Sequence, residues 1–111
     1  MSNEFNTFGT YIGNVRKKMG LSQKQLAEKI EREEGGPISA QYLNDIEHDR
    51  RSPSSDHMIQ QFARVLNVGA DYLYYLAGRV PVDVRQANLP PKQVEESFAA
   101  FRRTGPTKGK G

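Results

Sequence analysis

The 111-residue chain contains no cysteine. Disulfides and thiolate-bound zinc are therefore excluded, a composition that fits a reducing compartment. No apolar run approaches the length needed to span a bilayer. The amino-terminal Met1-Ser2-Asn3-Glu4-Phe5-Asn6 lacks the basic segment and following apolar stretch of a secretory leader. A soluble, cytoplasmic protein without membrane contact is expected. Catalytic constellations are missing too: the sequence has no paired-histidine metal spacing, no glycine-rich phosphate loop and no serine elbow. No enzymatic activity, cofactor or metal is expected. His48 and His57 stand far apart and suit solvated or capping positions.

Overall charge is uninformative. The net +3 is unevenly spread. Residues 1–78 hold nine Lys and Arg against ten Asp and Glu, while residues 79–111 hold seven against three. Basicity belongs to the tail, so any case for nucleic-acid binding must rest on where individual charges sit.

Helical periodicity is what the chain has in plenty. Phe5, Phe8, Ile12, Val15 and Met19 form one apolar stripe over roughly residues 5–19, with Gly20 as a stop. Ser22 and Gln25 are spaced as a capping box for a second helix that carries Leu26, Ala27 and Ile30 inward. After the breaker Gly35-Gly36-Pro37, Ser39 caps a third helix with Leu43 and Ile46 inside. Ser54 or Ser55 opens a fourth, striped by Met58, Ile59, Phe62, Ala63 and Leu66 and ended by Asn67. A fifth starts at Gly69 or Ala70, turns Tyr72, Leu73 and Leu76 inward, and stops at Gly78. The fold class expected is all-α: five helices over residues 1–78 around one core. Val80-Pro81-Val82-Asp83-Val84 reads as extended linker. Pro91 then suits the first turn of a short helix with Val94, Phe98 and Phe101 on one face. Residues 79–103 are thus linker plus amphipathic helix, and residues 104–111 a disordered basic tail.

The second and third helices carry the functional signal. The first of them has its amides outward, and the second shows short polar side chains on one face. That is the outline of a helix-turn-helix, which places a helix in the major groove of DNA. The run Leu21-Ser22-Gln23, Leu26-Ala27-Glu28-Lys29-Ile30, Ser39, Leu43, Ile46-Glu47, Arg51-Ser52-Pro53-Ser54, then Ala63, Leu66, Val68, Asp71, Tyr72 and Leu73 resembles the lambda-repressor/Cro-like helix-turn-helix regulators. The resemblance spans roughly residues 6–78 and implies the compact five-helix DNA-binding domain of that family. It implies that Ala40, Gln41 and Asn44 face the bases. Chemistry agrees, since Gln and Asn can pair bidentately with adenine and an alanine methyl can meet that of thymine. Ser22, Gln23, Lys24, Tyr42, Arg50, Arg51 and the cluster Arg16-Lys17-Lys18 are the implied backbone contacts, which set register and affinity without reading sequence. Gln23 alternatively braces the third helix. Glu47 is expected to be structural, paired with a basic neighbour such as Arg51. Ordinary solvated helix surface is the plain alternative for Gln41 and Asn44, and plain loop for Arg50 and Arg51.

One departure stands out. Turns in such motifs have about 3–4 residues, whereas Glu31 to Ile38 makes eight. Two outcomes are open: an outward acidic loop, or an extra turn of the second helix. Loops absorb length cheaply.

The implied function is a sequence-specific regulator, acting as a repressor and a homodimer on a palindromic site in double-stranded DNA. Tyr72, Tyr75, Val94, Phe98 and Phe101 are the expected dimer residues. The competing function is a protein-interaction partner, such as an antitoxin. Its C-terminal helix would cover another protein, and DNA binding would be autoregulatory.

Overall fold

The computed structural model describes residues 6–104. Phe5, expected on the first stripe, and residues 105–111 of the tail lie outside them. Seven helices follow in order: α1 (Phe8–Lys18), α2 (Gln23–Lys29), α3 (Ala40–Glu47), α4 (Asp56–Leu66), α5 (Ala70–Ala77), α6 (Val82–Gln86) and α7 (Pro91–Thr104). The chain divides into two units, one running through Pro81 and one beginning at Val82. No helix among the described residues is long and apolar enough to cross a membrane.

Helix ends follow local chemistry. Ser22 accepts a hydrogen bond from Gln25 N at 3.0 Å and Gln25 Oε1 accepts one from Ser22 N at 2.8 Å, so the capping box of α2 is complete. Ser39 and Ser55 cap α3 and α4 through the backbone N–H of Tyr42 and Met58. Asn67 ends α4 in the left-handed conformation, which Asn tolerates better than most residues. Linker was expected at 80–84, but Val82–Gln86 forms the short helix α6.

The α1 cap reaches far along the chain. Thr7 Oγ1 accepts from Thr10 N and donates to Asp49 Oδ2 at 2.6 Å, while Asp49 Oδ1 accepts from Gly9 N at 3.1 Å. Asp49 itself has φ +59°. Asp49→Ala removes the long-range cap and puts Ala in a left-handed conformation it disfavours. The expected loss is about 1–2 kcal/mol, readable as a lower melting temperature by circular dichroism.

The core of the first unit comprises Phe8, Ile12, Leu26, Ile30, Ile38, Leu43, Ile46, Ile59, Phe62 and Leu73, all at most 5% exposed. Phe8 and Phe62 meet edge to face at 5.8 Å. Each such side chain contributes roughly 1.5–3 kcal/mol when fully buried. Two inward assignments are corrected. Met19 is exposed, and its place on the stripe is taken by Arg16. On α5 the buried tyrosine is Tyr74, whose hydroxyl accepts from Gln60, while Tyr72 lies outside. An eight-residue helix has only about two turns, and a rotation of one position selects Leu73 and Tyr74.

The long turn is a small closed hairpin. Ile38 N donates to Ile30 O at 3.0 Å and Arg32 N to Gly36 O at 2.9 Å, flanking an antiparallel bridge between Glu31 and Pro37. Gly35 and Gly36 close it with φ of +101° and +81°, conformations available to glycine at little cost. α2 stops at Lys29 and gains no extra turn. Gln61 Oε1 accepts from Glu31 N, and Glu31 O lies 2.8 Å from His57 Nε2, so α4 anchors the hairpin base. Glu31, Glu33 and Glu34 are all exposed.

Candidate nucleic-acid interface

The position of α3 is set by close packing against α1. A Cβ at Gly9 would stand 2.6 Å from Glu47 O and nearer still to Ile46 O, and one at Gly13 would stand 3.3 Å from Glu47 Oε1. At Gly9 only glycine allows this approach of α1 to the C-terminal turn of α3, because the atoms met are backbone.

A buried polar cluster then ties three helices together. Arg16 Nε donates to Glu47 Oε2 at 2.7 Å and Nη2 to Oε1 at 3.0 Å, with the two side chains only 10% and 6% exposed. Arg16 Nη1 also donates to Leu21 O at 2.8 Å, in the turn between α1 and α2. Gln23, the first residue of α2, donates to Glu47 Oε1 at 2.9 Å and to Asn44 Oδ1 at 3.1 Å. Burying a charge is costly unless it is paired and hydrogen-bonded, and here both partners are.

This cluster bears on three expectations. The guanidinium of Arg16, expected among the phosphate contacts, is instead buried against Glu47 and Leu21. Glu47 is structural as expected, but its partner is Arg16 and not Arg51. Gln23 spends both amide hydrogens inside the protein, so its side chain is a brace. What α2 can still offer a phosphate there is the backbone N–H of its first turn.

The outward face of α3 is polar and organised. Ala40 and Gln41 are exposed, and Tyr42 and Asn44 are half-buried. Gln41 Nε2 donates one hydrogen to Asp45 Oδ1 at 3.1 Å, which leaves its second amide hydrogen and its carbonyl oxygen to offer. Asn44 accepts one bond from Gln23 on its oxygen, which leaves both amide hydrogens and the second lone pair of that oxygen. Each amide thus keeps one free N–H and one free lone pair on its oxygen, the pair of groups that adenine takes.

Asp45, which sequence reasoning missed, organises the basic loop after α3. Arg50 Nε reaches its carboxylate at 3.1 Å and Arg51 Nε at 3.7 Å, and its carbonyl accepts from both arginine amides. Arg51 also lies over the Tyr42 ring, 5.5 Å from its centroid. Both arginine side chains remain more than half exposed. The signal was present in the sequence: Asp45 stands four positions after Gln41 and just before the arginines. Lys17, Lys18, Ser22 and Lys24 are exposed, although the Ser22 hydroxyl is engaged in its cap. The hairpin flanks this face, making a cleft with Ser39 and Tyr42 of the α3 start and Ser54, Ser55 and Met58 of the α4 start.

Two further exposed surfaces carry the remaining candidates. Tyr72 packs edge-on to Tyr11 at 4.9 Å and stacks on Tyr75 at 6.0 Å, with Tyr75 63% exposed. In the second unit Phe98 and Phe101 are 51% and 52% exposed on α7, and Val94 is half-buried.

Comparison with known proteins agrees with this geometry. A helix-turn-helix family model matches residues 12–73, more than half of the chain. A solved chain from a complex of the SinR and SinI proteins superposes with a TM-score of 0.50 at 22% sequence identity, over 92% of this chain and 84% of that one. That likeness concerns the fold. No match was found among curated proteins. With α3 held by a buried ion pair and its polar face outward, the chain belongs to the lambda-repressor/Cro-like helix-turn-helix family of DNA-binding transcriptional regulators.

Proposed function

We propose that the protein is a homodimeric repressor that reads a palindromic operator by inserting α3 into the major groove. The observation that carries this reading is the outward face of α3. Ala40, Gln41 and Asn44 lie on it, Arg50 and Arg51 gather beside it on Asp45, and the Arg16–Glu47–Gln23 cluster fixes it from behind. In this reading Ala40, Gln41 and Asn44 meet base edges. Tyr42, Arg50, Arg51, Lys24, Lys17, Lys18 and the backbone N–H of Gln23 meet phosphates. The acidic hairpin stays off the DNA, since Glu33 and Glu34 beside phosphates would cost affinity. One helix-turn-helix reads few base pairs, and two-fold pairing on adjacent half-sites supplies the missing specificity. Tyr72 and Tyr75 on α5 and Phe98 and Phe101 on α7 are exposed apolar groups suited to that pairing, with the half-buried Val94 beside them.

Fluorescence anisotropy with the protein's own upstream DNA tests the reading. Specific binding should exceed binding to bulk competitor at moderate salt; equal binding sinks the specific-regulator claim. Gln41→Ala and Asn44→Ala should each cost about 1–3 kcal/mol at the operator and little on bulk DNA. Arg51→Ala should weaken binding to all sequences and lower the salt slope by about 1.

A second reading rests on the exposed face of α7. The SinR neighbour was solved in complex with another protein, SinI; in this second reading the α7 face takes a different protein, as an antitoxin does. Co-purification of the native operon discriminates. A stoichiometric partner favours this reading, and a lone dimer the first.

A further inference from the structure

The charge pattern around the exposed face of α7 specifies how two copies meet. α7 is a 14-residue helix, and at about 100° per residue Val94, Phe98 and Phe101 fall on one stripe. Glu95 and Arg102 fall together on one flank of that stripe, and Ser97 lies on the other. Glu95 is three positions before Phe98 and Arg102 four after it, which places them about 4.5 Å and 6 Å along the axis on either side. Seven residues separate them, beyond the three- or four-residue reach of a pair on one helix. The residues three and four before Arg102 are Ala99 and Phe98, so its own helix offers it no acid within a turn.

We infer that α7 pairs with α7 of a second copy in antiparallel orientation, with the two-fold axis beside Phe98 and Glu95 of each chain opposite Arg102 of the other. The inference rests on the homodimer reading above and adds its geometry. A two-fold axis perpendicular to two adjacent helices sets each flank against the same flank of its mate, with direction reversed. Glu95 then lies level with Arg102 of the other copy, twice over. Val94 of each copy comes against Phe101 of the other, and the two Phe98 rings meet at the axis. A parallel pair would set the Glu95/Arg102 flank against the Ser97 flank, and neither charge would find its complement. Complementary flanks fix register and orientation in helix pairs in this way.

Charge reversal in the full-length protein tests the arrangement, with dimerisation read by sedimentation velocity over a concentration series. Glu95→Arg and Arg102→Glu, singly, should each weaken self-association by about tenfold or more. The double reversal should restore it, because the pair is rebuilt with its signs exchanged. An equimolar mixture of the two single variants should form mixed dimers in preference to either alone. Circular dichroism should show unchanged helix content throughout. Single variants that dimerise as well as the starting protein overturn the antiparallel pairing and leave the homodimer standing. So does a double reversal that fails to restore association with helix content intact. A chain that is monomeric both in solution and on DNA overturns the homodimer and this arrangement with it. A chain that is monomeric alone but stoichiometric with a different protein assigns the α7 face to that protein, and overturns both.

Discussion

Gly9→Ala is expected to lower stability by about 3 kcal/mol or more, a fall of roughly 10–20 °C in melting temperature for a domain of this size. The sign opposes intrinsic preference, because Ala in a helix interior is ordinarily favoured over Gly by about 1 kcal/mol. Sterics decide here. The added carbon would stand 2.6 Å from Glu47 O and closer to Ile46 O. Both atoms are backbone, so no side-chain rotation relieves the clash. α1 and α3 must move apart, which opens the core around Ile12 and Ile46 and strains the Arg16–Glu47 bonds. Gly13→Ala serves as the comparison. Its Cβ would meet only the carboxylate of Glu47 at 3.3 Å, and its cost should be smaller. A Gly9→Ala protein that melts at or above the parent temperature would falsify the close approach of α1 to α3.

Glu47→Ala is expected to cost about 3–5 kcal/mol, because it leaves the guanidinium of Arg16 buried without a counter-charge. Arg16→Ala should behave alike for the converse reason. Replacing both members by apolar residues, Arg16→Met with Glu47→Leu, should recover most of the loss, since a buried pair often contributes little beyond a well-packed apolar equivalent. A thermal double-mutant cycle reads the coupling directly. Single losses that add in the double variant would show that the two side chains act independently. The double variant also separates stability from alignment. It removes one of the two acceptors of Gln23, so α2 loses one tie to α3, and operator affinity should stay reduced even where the melting temperature returns.

Much of the helical framework was legible in the chain because its signals are local. Ser22 and Gln25 form a capping box within four residues, Ser39 caps its own helix, and the stripe of α4 runs through five apolar positions that are all buried. What escaped depends on distant partners. Arg16, Lys17 and Lys18 read as one basic cluster, yet Arg16 turns inward to a carboxylate 31 positions away. Nothing local distinguishes it from its neighbours. Tyr72 and Tyr74 are similar residues on a two-turn helix, and only the packing of α4 and α1 decides which is buried. The sequence leaves an outward acidic loop and an extra turn of α2 both open, and it does not show the hairpin, because its bridge is a pairing of backbone groups, which side-chain patterns record poorly. The Gly35-Gly36-Pro37 breaker did mark where α2 could not continue. Asp45 is hard to single out in the sequence because its partners, Gln41, Arg50 and Arg51, are all residue types that suit an outward position.

The hairpin between α2 and α3 has an evolutionary corollary. Ile30 and Ile38 are buried and hydrogen-bonded to each other across its base, so the entry to α3 is anchored below the loop and not through it. The geometry of the reading helix is thereby insulated from the length and sequence of the segment beyond that base. Residues 32–36 form a permissive site, where insertions could accumulate, or an epitope or tag be grafted, without disturbing the helix that addresses DNA.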